Sequence, residues 1–399
     1  MKVSKRLAVL LLLVFVVSIV AGCQSKTTEN QPETPKAPTE TKEPIKVGVN
    51  VELSGGVASY GTNCRNGVVL AFDEINKAGG VDGRTIDYVI MDCKSDSAEA
   101  TNVAARLVGQ KVVALIGPLV TGSVLGAEPI ASKNNIPLIA PAATAMAATV
   151  DEKTGKTKEF VFRTCFIDPF QGGLMGNYAY DTLKAKKAAI LMDTSTDYSK
   201  GLAKAFKEAF VGKGGTIVAE EGYVKNDKDF KATLTKIKNK APDVIYVPGY
   251  YNEAGLIIKQ ARELGITVPI LGGDGWDSAE LVNIAGAKAL NNTFFTNHYS
   301  SADKDPKVVK FVKAYEAAYK TTPDAFAALG YDSAYLLVDA IKRAGSTDGV
   351  KIKEALAATK DFSGVTGTFS MDEQHNPVKS AVLIEMVDGK QVVKTKIQP

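Results

Sequence analysis

The chain has 399 residues, of which 45% are hydrophobic and 23% charged, with a formal net charge of +4 at pH 7. Three of the positive charges lie within residues 1–22, which contain no acid, so the remainder is nearly neutral and does not indicate a nucleic-acid partner. The 355 residues from position 45 onward are too many for one ordinary hydrophobic core and enough for two.

The N-terminus has the pattern of an export signal. Three basic residues among the first six precede 14 nearly uninterrupted apolar residues at 7–20, a run shorter than the roughly 20 residues of a membrane-spanning helix. The sequence VAGC, which ends at Cys23, is typical of a bacterial lipobox. We therefore expect residues 1–22 to be a lipoprotein signal peptide and Cys23 to be lipidated. Ordinary cleavage beside an incidental cysteine is the alternative.

The segment that follows has the composition of a tether. Residues 24–44 contain four prolines, five threonines and seven charges, and Ala37 is their only apolar side chain. Because such a segment cannot bury a core, we predict a disordered tether over 23–44. A lipid at Cys23 would then hold the protein on the extracytoplasmic side of the cell membrane.

From position 45 onward, apolar runs alternate with amphipathic helical runs. The first set has predicted strands at 46–53, 85–92, 112–117 and 137–141 and predicted helices at 66–77, near 98–110 and near 123–134. The second set has predicted strands at 188–193, 216–223, 243–249 and 269–274, each followed by a helical pattern. Strands that are apolar on both faces belong in parallel sheets covered by helices, so the sequence predicts an α/β fold with two lobes.

The last hundred residues must join lobes that are already formed. Residues 302–358 are mostly helical in pattern, and strand-like runs such as 381–387 follow them. The chain is therefore expected to cross between the lobes more than once, as in two hinged lobes around a cleft. Ligands of open parallel sheets bind beyond the carboxyl ends of the strands, which directs attention to the loops there.

Hydroxyl side chains follow two strands of the first set. Thr121 and Ser123 come after the strand at 112–117, and Thr144 comes after the strand at 137–141. Helix N-termini attract anions, so these positions predict a cradle for a carboxylate. Ordinary hydroxyl capping of a helix is the alternative for each position.

The strand ends of the second set carry different chemistry. Tyr198, Tyr250 and Tyr251 follow two of its strands, and Asp274 follows a third. Each could be explained alone, the rings by packing and Asp274 by capping a helix that starts at Ser278. Combined with a carboxylate cradle on the opposite wall, however, they predict a pocket for a zwitterion with an apolar side chain.

The sequence offers little for catalysis or metal binding. His298 and His375 lack neighbouring metal ligands at a useful spacing, and the chain has no G-x-S-x-G elbow, P-loop or complete dinucleotide fingerprint. We expect no enzymatic activity, no cofactor and no metal, and we interpret Cys165 as a buried structural thiol rather than a nucleophile. A disulfide between Cys64 and Cys93 is left open, because connectivity cannot be deduced from sequence.

Six motifs occur in an order that makes the chain resemble a known family. They are SGGVASYGTNCRNGVVLAFDEINKAGGVDGR, VVALIGPLVTGS, PLIAPAATA, FRTCFIDPFQG, DYSKGLA and LGGDGWD. From Ile45 to the C-terminus the chain resembles the type I periplasmic binding proteins of ABC transporters, specifically the leucine/isoleucine/valine-binding group. The resemblance implies two Rossmann-like lobes with parallel sheets, joined by a three-crossover hinge. We expect lobe 1 to span 45–166 and 298–378 and lobe 2 to span 167–297 and 379–399.

The resemblance also implies roles for individual residues. The positions that hold the ligand's α-carboxylate match Thr121, Ala142 and Thr144. The acid that accepts the ligand's ammonium matches Asp274, with Tyr250 beside it. The residues that line the side-chain pocket match Tyr60, Tyr198 and Phe326. Some relatives have glutamate at the Asp274 position. Some have cysteine at the Val120 position, bridged to the position of Cys93, and that disulfide cannot form here. Both departures leave the size of the ligand open.

The implied function is that of an extracytoplasmic receptor, expected to be monomeric, that closes on a branched-chain amino acid and delivers it to the permease subunits of an ABC transporter. Another zwitterion, a small amide or an aromatic acid is an alternative ligand, and a ligand sensor is an alternative role.

Overall fold

The computed structural model describes residues 42–398, so the predicted signal peptide, the predicted lipidation site Cys23 and most of the predicted tether lie outside the described residues. Within this part of the chain, no helix combines the length and the apolar character needed to cross a membrane.

The first sheet is fully parallel and has the strand order β2-β1-β3-β4-β5. Its strands are β1 (Ile45–Val51), β2 (Ile86–Asp92), β3 (Ala114–Ile116), β4 (Leu138–Ala140) and β5 (Val161–Arg163). The three central strands are buried on both faces, which is why they appear in the sequence as continuous apolar runs rather than alternating ones.

Helices cover both faces of this sheet. They are α1 (Ala58–Lys77), α2 (Ser97–Gly109), α3 (Thr121–Lys133), α9 (Pro306–Tyr319), α10 (Ala325–Ala344) and α11 (Gly349–Ala357). Helices α1 and α10 share one core with Val47 and Ile116, whereas α2 and α3 pack with Leu115 and Leu138 on the other face. Because neighbouring strand residues point to opposite faces, each apolar run supplies both cores.

The second sheet has the order β15-β14-β10-β9-β8-β6-β7. Its strands are β6 (Lys187–Asp193), β7 (Thr216–Tyr223), β8 (Val244–Tyr246), β9 (Ile270–Gly272), β10 (Thr293–Asn297), β14 (Ala381–Val387) and β15 (Lys390–Ile397). Its helices are α4 (Asp168–Asp181), α5 (Asp197–Gly212), α6 (Lys231–Asn239), α7 (Tyr251–Glu263) and α8 (Ala279–Ala285). The last two strands pair antiparallel at one edge of an otherwise parallel sheet.

The chain passes between the two sheets three times, after β5, after β10 and after a small antiparallel sheet beside the first lobe. The strands of this third sheet are β11 (Phe362–Gly364), β12 (Gly367–Met371) and β13 (Pro377–Val378). The crossing points therefore lie near residues 164–168, 298–305 and 379–380.

The predicted start of the first helix at residue 66 is wrong, since α1 begins at Ala58 and carries Tyr60 in its first turn. Two glycines of α1 are needed for close packing. A Cβ at Gly61 would lie less than 3.0 Å from the backbone of Glu52, and one at Gly67 would lie equally close to the backbone of Ala327 in α10.

The three cysteines of the described chain are free and buried. Cys64 lies in the core that α1 shares with α10, and Cys93 lies in the core of the opposite face of the sheet. The Cys64–Cys93 disulfide, which the sequence left open, is therefore not formed.

Candidate functional site

Five of the eight predicted site residues are linked by direct contacts across the two lobes. Tyr60 stacks on Phe326 of α10, with ring centroids 4.0 Å apart, and meets Tyr250 edge to face at 6.0 Å. The Tyr60 hydroxyl donates to the carbonyl of Gly275 in the second lobe and accepts from the backbone N–H of Tyr251 at 3.3 Å. These rings form an apolar wall that spans both lobes.

Tyr198 has a polar role besides the predicted one in the side-chain pocket. Its ring lies parallel to that of Tyr250 at 5.1 Å, and its hydroxyl donates to Oδ1 of Asp274 at 2.8 Å. The backbone N–H of Gly275 donates to the same hydroxyl at 2.9 Å. Burial raises the pKa of Tyr198 well above its usual value, so the hydroxyl keeps its proton and remains a donor.

Asp274 is the centre of the second lobe's polar network. It begins a 3₁₀ turn after β9, is 2% exposed, and accepts from Nε2 of Gln171 at 3.0 Å and from Nε2 of His298 at 2.9 Å. The alternative, that Asp274 caps the next helix, is wrong, because Ser278 caps α8 with its own hydroxyl.

The charge of Asp274 has no permanent counter-ion. Among the described residues, no lysine or arginine pairs with it, and the one ion-pair geometry involves His298. Burial lowers the pKa of His298, and no acceptor in the described chain lies within reach of its Nδ1, so the ring is a neutral donor at neutral pH. A buried carboxylate surrounded only by neutral donors is costly, and a cation brought by a ligand would relieve this cost.

The first lobe presents two hydroxyls that lack hydrogen-bond partners. Thr121 is the first residue of α3 and Thr144 precedes a 3₁₀ turn, both are buried, and neither makes a capping bond. Both Oγ1 atoms are without a partner among the described residues. Buried polar groups are normally satisfied, so the Thr121 hydroxyl indicates a missing acceptor, and the Thr144 hydroxyl, which lies near Asp168, is available to the same acceptor.

The three predicted carboxylate-binding residues follow neighbouring strands. Thr121 follows β3, and Ala142 and Thr144 follow β4, which pairs with β3 in parallel. Ala142 is also buried, and its small side chain leaves room beside the backbone. A helix N-terminus and two free hydroxyls at the same edge of the sheet suit a carboxylate.

Sequence reasoning missed Glu52, which supports this edge. It is buried at the end of β1 and accepts the backbone N–H groups of Leu119 and Val120, with shortest distances of 3.1 and 3.3 Å. It therefore fixes the loop that leads into Thr121, while burial raises its pKa. The signal was present in the sequence, since Glu52 is an acid at the end of an apolar strand.

Gln171 and Asp168 were also missed, although both lie within the motif FRTCFIDPFQG. The side-chain amide of Gln171 donates to Asp168 at 3.1 Å as well as to Asp274, so it bridges two buried acids. Burial raises the pKa of Asp168 to about 8. Within residues 42–398, no hydrogen bond of ordinary geometry reaches Oδ2 of Asp168, although the nearby Thr144 hydroxyl favours the ionised form of this acid.

The sequence is similar to those of known proteins along most of its length. The family model described as "Periplasmic binding protein" matches residues 44–391. The chain is 33% identical to a Leu/Ile/Val-binding protein homolog of Brucella melitensis, over 82% of this chain and 87% of that protein.

Two solved structures are similar along nearly their whole length. One is the branched-chain amino acid transporter substrate-binding protein LivJ of Streptococcus pneumoniae in complex with isoleucine. It has a TM-score of 0.83 and 44% sequence identity, and the match covers 89% of this chain and 100% of that chain. The other is a leucine-binding protein, LivK, of Thermotoga maritima, with a TM-score of 0.83, 38% identity, and coverage of 89% and 99%. The predicted two-lobed α/β fold is confirmed.

Proposed function

The chain belongs to the periplasmic binding protein family, and we propose that it binds a branched-chain amino acid between its lobes as the receptor of an ABC transporter. Proteins of this family work outside the cytoplasm and bind substrates for transport. The solved relative that holds isoleucine supports the choice of ligand.

The observation that carries the proposal is the complementary chemistry of the two walls. Within residues 42–398, Thr121 and Thr144 offer hydroxyls without hydrogen-bond partners of ordinary geometry on the first lobe, and Asp274 offers a carboxylate without a lysine or arginine partner on the second. A zwitterion supplies an acceptor for the former and a cation for the latter. The stacked rings of Tyr60 and Phe326 provide an apolar surface for an aliphatic side chain.

A small amide or an aromatic acid fits less well. Neither carries the ammonium that would balance Asp274, and leaving a buried charge unpaired costs several kcal/mol. Leucine, isoleucine and valine differ by a methylene group or by branching, which changes the free energy of binding by only about 1–3 kcal/mol.

We propose closure of the lobes as the mechanism. Besides the Tyr60 contact with Gly275, the hydroxyls of Ser59 and Ser278 lie 2.9 Å apart across the cleft, and Nζ of Lys225 donates to the carbonyl of Ser95 at 3.0 Å. A ligand that touches both walls favours the closed arrangement, because only that state makes both sets of contacts.

In the proposed domain organisation, lobe 1 comprises residues 45–166 and 298–378, and lobe 2 comprises residues 167–297 and 379–399. The three crossings join the two lobes.

The proposal also covers the cellular context of the protein. The protein acts as a monomer, is anchored to the membrane by a lipid on Cys23, and presents its closed form to the permease. The lipobox and the composition of residues 24–44 support the anchor.

A thermal-shift screen of residues 45–399 tests the ligand class. The protein is unfolded and refolded first to remove copurified ligand, then mixed with the twenty amino acids, small amides and aromatic acids. We expect leucine, isoleucine and valine to raise the melting temperature, because a ligand that binds only the folded state stabilises it. A shift produced only by an amide or an aromatic acid would contradict the proposed ligand.

Thr144→Val tests the carboxylate cradle. Valine keeps the shape and removes the hydroxyl, so we expect leucine to bind roughly 30-fold more weakly, the equivalent of one hydrogen bond to a charged group. Titration calorimetry measures the effect. Thr149→Val is the matched control, because that buried hydroxyl accepts from Arg163 and donates to Asn376. Equal affinity of Thr144→Val and wild type would exclude Thr144 from the cradle.

A further inference from the structure

His298 links the centre of the site to two of the three crossings. It follows β10 at the second crossing, and its ring stacks on Phe166 of the first crossing with centroids 3.8 Å apart. Its Nε2 lies 2.9 Å from Oδ2 of Asp274. The other oxygen of Asp274 accepts from Gln171 and Tyr198, so each carboxylate oxygen is held.

The surroundings of the ring select its neutral form. Nε2 faces a carboxylate and must donate, whereas Nδ1 is buried and has no acceptor among the described residues. An imidazolium would leave the Nδ1 proton unpaired, which is costly in a buried position. The charged groups that face this ring are Asp274 and Asp277 of the turn after β9 and Lys379 at the third crossing.

We propose that His298 is a positioning residue that holds the carboxylate of Asp274 in place for the ligand's ammonium without neutralising its charge. The proposal rests on the proposed amino-acid receptor function. A lysine or arginine at this position would hold the carboxylate equally well but would replace the cation that the ligand supplies. A neutral imidazole provides the hydrogen bond and leaves the negative charge for the ligand.

The proposal has a consequence for pH. Burial lowers the pKa of His298 below its ordinary value, so the ring is neutral at pH 7.5 and gains a proton only on acidification. The imidazolium formed at low pH would pair with Asp274 and compete with the ammonium. Amino-acid affinity is therefore expected to fall as the pH decreases, and protonation of His298 is expected to cause part of this fall.

The test compares two substitutions in the whole folded domain, with leucine as the probe in titration calorimetry. His298→Gln keeps an N–H donor, and we expect its affinity at pH 7.5 to stay within about threefold of wild type. His298→Phe keeps the stacking on Phe166 but leaves Asp274 without one donor, and we expect binding roughly 30-fold weaker, as for a lost hydrogen bond to a charged group. On acidification from pH 7.5, His298→Gln should lose less affinity than wild type.

His375→Gln is the matched control. That histidine is also buried and stacked on a phenylalanine, but its Nδ1 contacts the carbonyl of Val161 in the first lobe. Its substitution should leave both the affinity and the pH profile unchanged. Wild-type affinity in His298→Phe, or a larger loss of affinity on acidification in His298→Gln than in wild type, would overturn the proposal.

A measurement on the unaltered protein does not depend on how well the variants fold. Nitrogen-15 NMR of the imidazole should show Nε2 protonated and Nδ1 bare at pH 7.5 with leucine bound, and the opposite tautomer or an imidazolium would also overturn the proposal. If wild type bound no amino acid at all, the proposed function itself would fail, a result distinct from equal binding by wild type and His298→Phe.

Discussion

Asp274→Asn is expected to weaken the binding of leucine by roughly a thousandfold, because the ligand's ammonium loses the negative charge of the carboxylate that pairs with it. Asparagine has nearly the same size, keeps one oxygen to accept from Gln171 and Tyr198, and can donate its amide N–H to Nε2 of His298 when the ring takes its other neutral tautomer. The effect therefore reports the charge rather than the shape of the pocket. Titration calorimetry of the refolded, ligand-free variant measures it.

The same substitution should not lower the stability of the unliganded protein. Asp274 is 2% exposed and surrounded by neutral donors, so removing its charge removes a cost of burial and the melting temperature should stay equal or rise. Asp332→Asn is the matched control, since that carboxylate is equally buried but accepts from the backbone of Val365 and Thr366. It should lower the melting temperature and leave the affinity unchanged. An unchanged dissociation constant in Asp274→Asn would refute the role assigned to Asp274.

Gly67→Ala is expected to destabilise the protein by roughly 3 kcal/mol, at the upper end of the usual cost of overpacking a core. The new Cβ would lie less than 3.0 Å from the backbone of Ala327, and backbone cannot move aside as a flexible side chain can. Helices α1 and α10 would have to separate. Because Tyr60 on α1 stacks on Phe326 of α10, the affinity for leucine should fall as well.

Gly173→Ala provides the comparison, since Gly173 is also helical and a Cβ there would meet nothing within 4 Å. It should be neutral or stabilising by up to about 1 kcal/mol, the difference in helix propensity between glycine and alanine. Urea unfolding of both variants, followed by calorimetry, separates the two effects. Equal stability of Gly67→Ala and wild type would show that the helices can repack without cost.

The elements with continuous apolar runs could be predicted from sequence because they are buried on both faces. The predicted strands at 112–117 and 243–249 contain β3 and β8, and the runs extend beyond the strands only by a few residues. The start of α1 could not be predicted, because glycine is unfavourable inside a helix and the sequence does not show that Gly61 packs against the backbone of Glu52. At Gly61, the low helix propensity of glycine disfavours a helix, whereas the packing of α1 requires a residue without a side chain.

The sequence by itself determined the α/β class and the two lobes and predicted the chemical type of most candidate site residues, because periodicity and strand-end position are local properties of a chain. It did not determine which groups support those residues. Gln171 and His298 are far from Asp274 along the chain and reach it only because the first and second crossings lie beside the end of β9. Whether Asp274 is neutralised by a protein cation or left for a ligand is decided by these long-range contacts, which tertiary structure alone brings together.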